Sequence, residues 1–246
     1  MSEPTFILVH GAWHGSWCWR EVGRELDRRH IAWRAVDLPS ARNDAAGLRD
    51  LESDAAEVVR SADVSGPVIL VGHSYAGAVI SEAAARVTSL VELVFLAALI
   101  PAVGQSATDV SREVGVRTLL DEAMMVDGEF IRLDPSRAPS ALYHQCSTDT
   151  KAWASAQLSR QSLASFRAIR RAPETKIPCR YLLCRDDRAI DPSLQERMSQ
   201  SCHDVTELMS DHSPFLSHPV ACADFIVGPR EGPHFPTANM GPPLGV

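Results

Sequence analysis

The 246-residue chain is predicted to fold as an α/β protein. Its expected architecture is a mostly parallel sheet of six or more strands, flanked by helices and interrupted by an inserted helical cap. Short all-apolar runs, Phe6-Ile-Leu-Val9, Val68-Ile-Leu-Val71 and Leu93 to Ile100, suit strands covered by helices on both faces. Stretches of helical periodicity separate them, so strands and helices alternate as βαβ units require. The third observation fixes the centre. Val68 to Val71 run straight into Gly72-His-Ser-Tyr-Ala-Gly77, and an Ala-rich helical pattern follows at once.

Taken in order, the first strand, Phe6 to Val9, ends in the loop His10-Gly-Ala-Trp-His-Gly15 and a helical pattern over 16–29. A second strand over 31–37 is closed by Leu38-Pro39. Residues 45–62 place Leu48, Leu51, Ala55, Val58 and Val59 at helical spacing. The central strand, the sharp turn, a helix over 77–87 and a strand over 91–98 follow. After Pro101 the rhythm breaks into helical patches over 110–125 and 150–171 around a loop-rich middle with Pro135 and Pro139. No strand for the main sheet is expected there, so 101–175 is read as the cap. The rhythm resumes with Cys179-Arg-Tyr-Leu-Leu-Cys184, a helix over 192–200, a strand over 205–209 and a helix over 218–227. The core is thus 1–100 with 176–227. Residues 228–246, with five prolines and four glycines, form a tail without regular structure.

Bulk properties narrow the function. A net charge of −7 and a pI near 5.7 argue against a nucleic-acid or anionic-membrane surface. The longest apolar run, Leu93 to Ile100, is too short to span a bilayer. Met-Ser-Glu-Pro lacks the basic start of a signal peptide. Cysteines 18, 146, 179, 184, 202 and 222 show neither a C-x-x-C pair nor zinc spacing, and read as reduced residues of a cytoplasmic protein. A homodimer is compatible with all of this.

The chemistry is carried by Gly72-x-Ser74-x-Ala76. A serine at the apex of a strand–turn–helix needs small residues two before and two after it, so that strand and helix can pass closely. The phosphate-loop alternative fails, because Ala78 and Val79 follow Gly77 where Lys and Ser/Thr should stand. A serine hydroxyl needs a base, and the base and its orienting acid should follow, acid first, at the carboxyl ends of later strands. Arg185-Asp186-Asp187-Arg188 and Ser210-Asp211-His212-Ser213 meet that demand. His212 is the candidate base. Spacing leaves Asp186 and Asp187 both open as its partner, while Asp211 is expected to satisfy loop amides. His10 and His14 are expected to shape the first loop, and their spacing would suit a metal only on a helix, so no metal is expected. Two backbone N–H groups should form an oxyanion hole, one from Tyr75 and one from the Gly11-Ala12 loop.

These residues are familiar as a set. Phe6-Ile-Leu-Val-His-Gly-Ala-Trp-His-Gly-Ser-Trp-Cys-Trp19, Val71-Gly-His-Ser-Tyr-Ala-Gly77, Cys184-Arg-Asp-Asp187 and Asp211-His212 resemble the α/β-hydrolase superfamily. More narrowly, they are similar to its small esterases, the group of plant methyl esterases, hydroxynitrile lyases and pyrethroid-type carboxylesterases. The resemblance spans residues 5 to about 227 and weakens in the cap. It implies an α/β-hydrolase fold, a Ser74–His212–Asp187 triad with Asp187 preferred over Asp186, and Ala12 and Tyr75 as oxyanion donors. It implies no cofactor. Lyase members carry a lysine after the catalytic histidine, where this chain has Ser213, or an asparagine in the oxyanion loop, where it has Ala12. Ester hydrolysis is therefore favoured over lyase chemistry and over a non-catalytic ligand-binding role. Dehalogenases and epoxide hydrolases use an aspartate at the elbow, which Ser74 replaces.

The expected activity is a serine carboxylesterase working through an acyl-enzyme on a small, apolar ester, and rising between about pH 6 and 8 as an ordinary imidazole loses its proton. Trp13, Leu119, Met124 and Trp153 are the candidate substrate contacts, with Leu120, Met125 and Phe130 beside them. Arg160, Arg167, Arg170 and Arg171 are read as a solvated helix face.

Overall fold

The computed structural model describes residues 2–42 and 49–228; the expected tail after Gly228 and the start of the 45–62 segment lie outside them. Nine strands are formed among the described residues: β1 (Thr5–Val9), β2 (Trp33–Val36), β3 (Val68–His73), β4 (Leu90–Leu96), β5 (Met124–Asp127), β6 (Phe130–Leu133), β7 (Gln161–Ser162), β8 (Cys179–Cys184) and β9 (Asp204–Leu208). Six of them make one parallel sheet in the order β2-β1-β3-β4-β8-β9. Since all six point the same way, their carboxyl ends share one edge. The loops after β1, β3, β8 and β9 therefore open together.

Strands β1, β3, β4 and β8 form where the apolar runs predict and are largely buried, whereas the edge strand β9 is exposed along most of its length. Every residue of β3 is buried. Helices α1 (Arg20–Arg28), α2 (Leu51–Ser61) and α3 (Ala76–Ala83) follow in the first half, and α2 packs on α3. Helix α2 begins at Leu51 because Asp50 and Ser53 form a reciprocal capping box, Ser53 N–H donating to Asp50 Oδ1 at 3.0 Å and Asp50 N–H to Ser53 Oγ at 3.0 Å.

The segment between β4 and β8 contributes no strand to the main sheet. It carries five short helices, α4 (Ala107–Ser111), α5 (Leu119–Ala123), α6 (Ala138–Leu142), α7 (Thr148–Gln157) and α8 (Leu163–Arg167). It also holds an antiparallel sheet, β5-β6-β7, that the periodicity did not predict. The expected helix over 110–125 is interrupted by Gly115 at φ +64° and restarted by Thr118, which caps α5 through a box with Asp121. The expected helix over 150–171 ends at Gln157, and Ser162 caps a separate turn, α8.

After β8, α9 (Pro192–Ser199), α10 (Pro214–Ser217) and α11 (Pro219–Val227) complete the core, with α11 against α1. Arg180 in β8 pairs with Glu92 in β4 through bonds of 2.7 and 3.0 Å, and also donates to the Phe225 and Ile226 carbonyls near the end of α11. One buried guanidinium thus ties two strands to the last helix.

Candidate active site

Ser74 follows β3 directly and stands at φ +55°. A non-glycine residue enters this left-handed region only when its surroundings hold it there. Here Ser74 N–H donates to Leu96 O at 3.1 Å, and Ser74 O accepts from Gly77 N at 3.0 Å and Leu99 N at 3.1 Å. The small residues have steric reasons. A Cβ on Gly72 would come within 2.8 Å of Ala76 O and 2.9 Å of Ile80 Cδ1; one on Gly77 would overlap Leu99 O and stand 2.9 Å from Ala98 Cβ.

The loops after β8 and β9 bring Asp187 and His212 together. His212 Nδ1–H donates to Asp187 Oδ2 at 2.7 Å, with both side chains buried. Asp187 Oδ2 also accepts from Gln195 Nε2 at 2.8 Å, and its Oδ1 accepts from Ala189 N at 2.7 Å and Ile190 N at 2.9 Å. The pairing that spacing left open falls on Asp187. Asp186 is exposed and accepts from Gln145 Nε2 at 2.8 Å. Asp211 satisfies loop groups instead, accepting from Ser213 N, Ser217 Oγ and Gln145 N.

Three other histidines frame the site as buried, neutral groups. His10 accepts from Leu38 N–H at Nε2 (3.1 Å), so its proton is on Nδ1, which donates to Gly11 O at 2.8 Å. His14 donates from Nδ1 to Ala12 O and accepts at Nε2 from Tyr143 OH, both at 2.8 Å. Both nitrogens of each ring are thus engaged by protein groups. His73 donates from Nε2 to His212 O at 2.8 Å, its ring 4.6 Å from that of His212. Burial lowers the pKa of all three, that of His14 to about 3.

Ala12 and Trp13 occupy the turn from Gly11 to His14, with Trp13 at φ +63°. Gly11 abuts the elbow: a Cβ there would lie 2.9 Å from Ser74 Cβ. Neither the Ala12 nor the Tyr75 N–H donates to another group among the described residues. Tyr75 OH donates to Asp54 Oδ2 at 2.8 Å; Asp54 also accepts from Ser40 N at 2.9 Å and Ser40 Oγ at 2.5 Å. Burial raises the Asp54 carboxyl to about 6, against the opposing pull of the Ser40 and Tyr75 hydrogen bonds. Asp54, Ser40, Gln161 and Gln195 were absent from the sequence-derived site. A readable signal existed for Asp54, a carboxylate on the buried stripe Leu51, Asp54, Ala55, Val58 of α2.

Ala12, Trp13, Ser74 and Tyr75 open onto a cavity of about 610 Å³ lined also by Leu99, Leu120, Met124, Ile131, Phe166 and Leu194. Of the candidate contacts, Trp13 and Met124 line it. Leu119 does not: it is exposed, and its N–H donates to Arg188 O. Trp153 lies elsewhere, edge-on to Trp17 at 5.3 Å and beneath the Arg20 guanidinium at 4.1 Å. As β5 begins at Met124, that residue is partly buried while Met125 is exposed. The four arginines do not share a face: Arg160 stacks over Phe130, Arg170 is buried against Pro101 O and Glu174, Arg167 lines the cavity, and Arg171 is exposed.

No group of three or more metal-binding side chains occurs among the described residues, and no described helix is long and apolar enough to cross a membrane. The chain is 28% identical over 236 residues to the alpha/beta hydrolase nvfD of Aspergillus novofumigatus, covering 89% of this chain and 93% of that one. It is 28% identical over 256 residues to methylesterase 18 of Arabidopsis thaliana, covering 92% and 97%. The crystal structure of a pyrethroid hydrolase from Sphingobium faniae JZ-2 superposes with a TM-score of 0.80 at 24% identity, over 92% of this chain and 96% of that one. The sheet order, the strained serine after β3 and a match of residues 6–225 to the family model lead to one conclusion: the chain belongs to the alpha/beta hydrolase family.

Proposed function

We propose that this protein is a serine carboxylesterase that cleaves a small, largely apolar ester, methyl esters included, through an acyl-enzyme. The observation that carries the reading is the buried His212–Asp187 hydrogen bond on the same sheet edge as a serine in left-handed conformation. Because Nδ1 donates to the carboxylate, Nε2 keeps its lone pair and is the basic nitrogen. In this reading Nε2 takes the Ser74 proton as Oγ attacks the ester carbonyl carbon, and Asp187 stabilises the imidazolium. The carbonyl electron pair moves onto oxygen, which the free Ala12 and Tyr75 N–H groups receive. Collapse of the tetrahedral intermediate breaks the bond to the alcohol, which leaves with the proton from Nε2. Water then repeats the sequence on the acyl-enzyme and releases the acid.

The names of the relatives, a methylesterase and a pyrethroid hydrolase, support ester chemistry. Residues 101–175 act as the cap, and the apolar cavity wall from Leu120, Met124 and Phe166 suits an aliphatic or aromatic acyl or alcohol group. The reaction needs no metal or redox cofactor, since serine, imidazole and carboxylate supply the chemistry. Six free cysteines suit the reducing cytoplasm.

The test is intact mass after incubation with a fluorophosphonate. One adduct on the wild type, absent from Ser74→Ala, is expected. A folded wild type that takes up neither this probe nor a smaller one would refute the reading in favour of a ligand-binding protein.

A further inference from the structure

The segment above the cavity also grips the oxyanion loop. Trp13 is strained at φ +63°, and its polar groups are engaged by residues between 131 and 161. Its N–H donates to Gln161 Oε1 at 3.3 Å, and its indole Nε1–H donates to Ile131 O at 3.0 Å. Its carbonyl accepts from Ser159 N at 2.8 Å and Ser159 Oγ at 3.1 Å. Gln161 is fully buried. Its Nε2 donates to Ser40 Oγ and Ser165 Oγ, both at 2.7 Å. Ser40 Oγ in turn donates to Asp54 Oδ2, which accepts the Tyr75 hydroxyl.

An unbroken buried chain of hydrogen bonds thus runs from the residue beside Ala12 to the side chain of Tyr75. Every proton in it has an acceptor, Asp54 Oδ2 taking two, and the Gln161 amide has one orientation, because Trp13 N–H requires the oxygen and Ser40 Oγ, whose own proton goes to Asp54, requires the nitrogen. We propose that Gln161 is a positioning residue that holds the Ala12 and Tyr75 amides at the separation an oxyanion needs, acting through Trp13 on one side and through Ser40, Asp54 and Tyr75 on the other. This rests on the serine-esterase reading above.

The physical need is clear. The two donors come from chain segments more than sixty residues apart, and an oxyanion hole works only if both are pre-set within a few tenths of an ångström. Trp13 would gain by leaving the left-handed region, so the turn that carries Ala12 needs an external hold. Gln161 is the side chain bonded to both arms.

Gln161→Met keeps the side-chain length and removes all three hydrogen bonds. Ser40→Ala leaves the Trp13 bond and cuts only the arm to Asp54. Both are made in the full chain, checked for folding by circular dichroism, and assayed with p-nitrophenyl butyrate. The second readout is inhibition by an aryl trifluoromethyl ketone. Ser74 Oγ adds to its carbonyl carbon, the proton passes to His212, and the resulting oxyanion occupies the hole. For Gln161→Met, kcat should fall about 10- to 100-fold with KM within about threefold, and the inhibition constant should weaken by the same factor as kcat/KM. Ser40→Ala should show the same pattern at about three- to tenfold, and it decides the question should Gln161→Met not fold. Unchanged kcat in a folded variant, or a loss confined to KM with ketone affinity intact, would reduce Gln161 to cap packing. A wild type that neither hydrolyses the ester nor takes the fluorophosphonate removes the esterase reading itself, before any variant is compared.

Discussion

Asp187→Asn separates charge and tautomer from packing, since the side chain keeps its shape. Asp187 Oδ1 receives the Ala189 and Ile190 backbone N–H groups, which cannot turn away, so the Asn amide oxygen must take that place. The NH2 group then replaces Oδ2 and faces two donors, Gln195 Nε2 and His212 Nδ1. Gln195 cannot flip freely, because its Oε1 accepts from Cys184 N at 2.9 Å. His212 has a way out: it moves its proton to Nε2 and accepts from the amide at Nδ1. A donor then stands where the base should be. The expected cost is about 10³- to 10⁴-fold in kcat, or about 4–5.5 kcal/mol of transition-state stabilisation, with KM within about threefold. Gln195 Nε2 then faces a second NH2 group and keeps only the Ile190 carbonyl at 2.9 Å and the more distant Cys184 carbonyl at 3.4 Å, which adds about 1–2 kcal/mol of instability and lowers the melting temperature by about 2–8 °C for a chain of this size. Asp186→Asn, on the exposed neighbour, should stay within about twofold. Steady-state kinetics on p-nitrophenyl butyrate decide it. An Asp187→Asn enzyme that keeps a tenth of its kcat, or an equal loss from Asp186→Asn, would refute the tautomer argument.

Gly77→Ala drives a methyl into the Leu99 carbonyl and Ala98 Cβ; it should destabilise by about 3 kcal/mol by urea unfolding, whereas Gly128→Ala, open within 4 Å and strained only at φ +62°, should cost about 1 kcal/mol. Equal costs would mean that the elbow is not sterically tight. Asp54 carries a folded-state pKa raised to about 6, so its contribution is fully present below the unfolded value near 4 and is lost as pH rises through 6. Relative to Asp54→Asn, the wild type should lose about 3 kcal/mol between pH 4 and 7, and a pH-independent difference in urea midpoints would contradict this. His10, His14 and His73 are depressed by burial, so the sign reverses: their stabilisation is present above pH 6.5 and fades as pH falls. Unfolding should therefore take up protons at these rings as pH falls from 7 to 5, His14 among them, each such proton adding a slope of up to about 1.4 kcal/mol per pH unit. In the Asp54→Asn background, which removes the opposing carboxyl, a flat unfolding free energy between pH 7 and 5 would show that the rings are charged in the fold.

What the sequence made legible was local. Strand, strained turn and helix around Ser74 occupy consecutive residues, so their pattern survives without any tertiary information. His212 was legible because it directly follows a predicted strand. Asp187 was harder: it and Asp186 leave β8 side by side, and which one turns inward depends on the Ala189 and Ile190 amides that receive the carboxylate. The cap was least legible, for a different reason. Helices of five residues, such as α4, α5 and α8, are shorter than two turns and leave no 3.6-residue stripe to detect. Their capping boxes, Ser106 with Asp109 and Thr118 with Asp121, were nevertheless written in the chain. Gln161 had no signal, because its partners come from residues 13, 40 and 165 and share no period.

Where local rules are broken, the breaks fall on the working edge of the sheet. Four non-glycine residues among those described have positive φ: Trp13, His30, Ser74 and Ala97. His30 only ends α1. The other three lie beyond the carboxyl ends of β1, β3 and β4, and each is held by bonds from a different part of the chain: Trp13 from Gln161, Ser74 from Leu96, Ala97 from Leu182. Strain of this kind costs on the order of 1–3 kcal/mol per residue and persists only where the surroundings over-determine it. A fold free to relax would place such residues in ordinary turns. Three on one edge, two of them lining the cavity, imply that the stability of the rest of the sheet is spent in holding a serine, an amide and their neighbours in positions they would not take alone. This is what distinguishes the site from the other loops of the same protein.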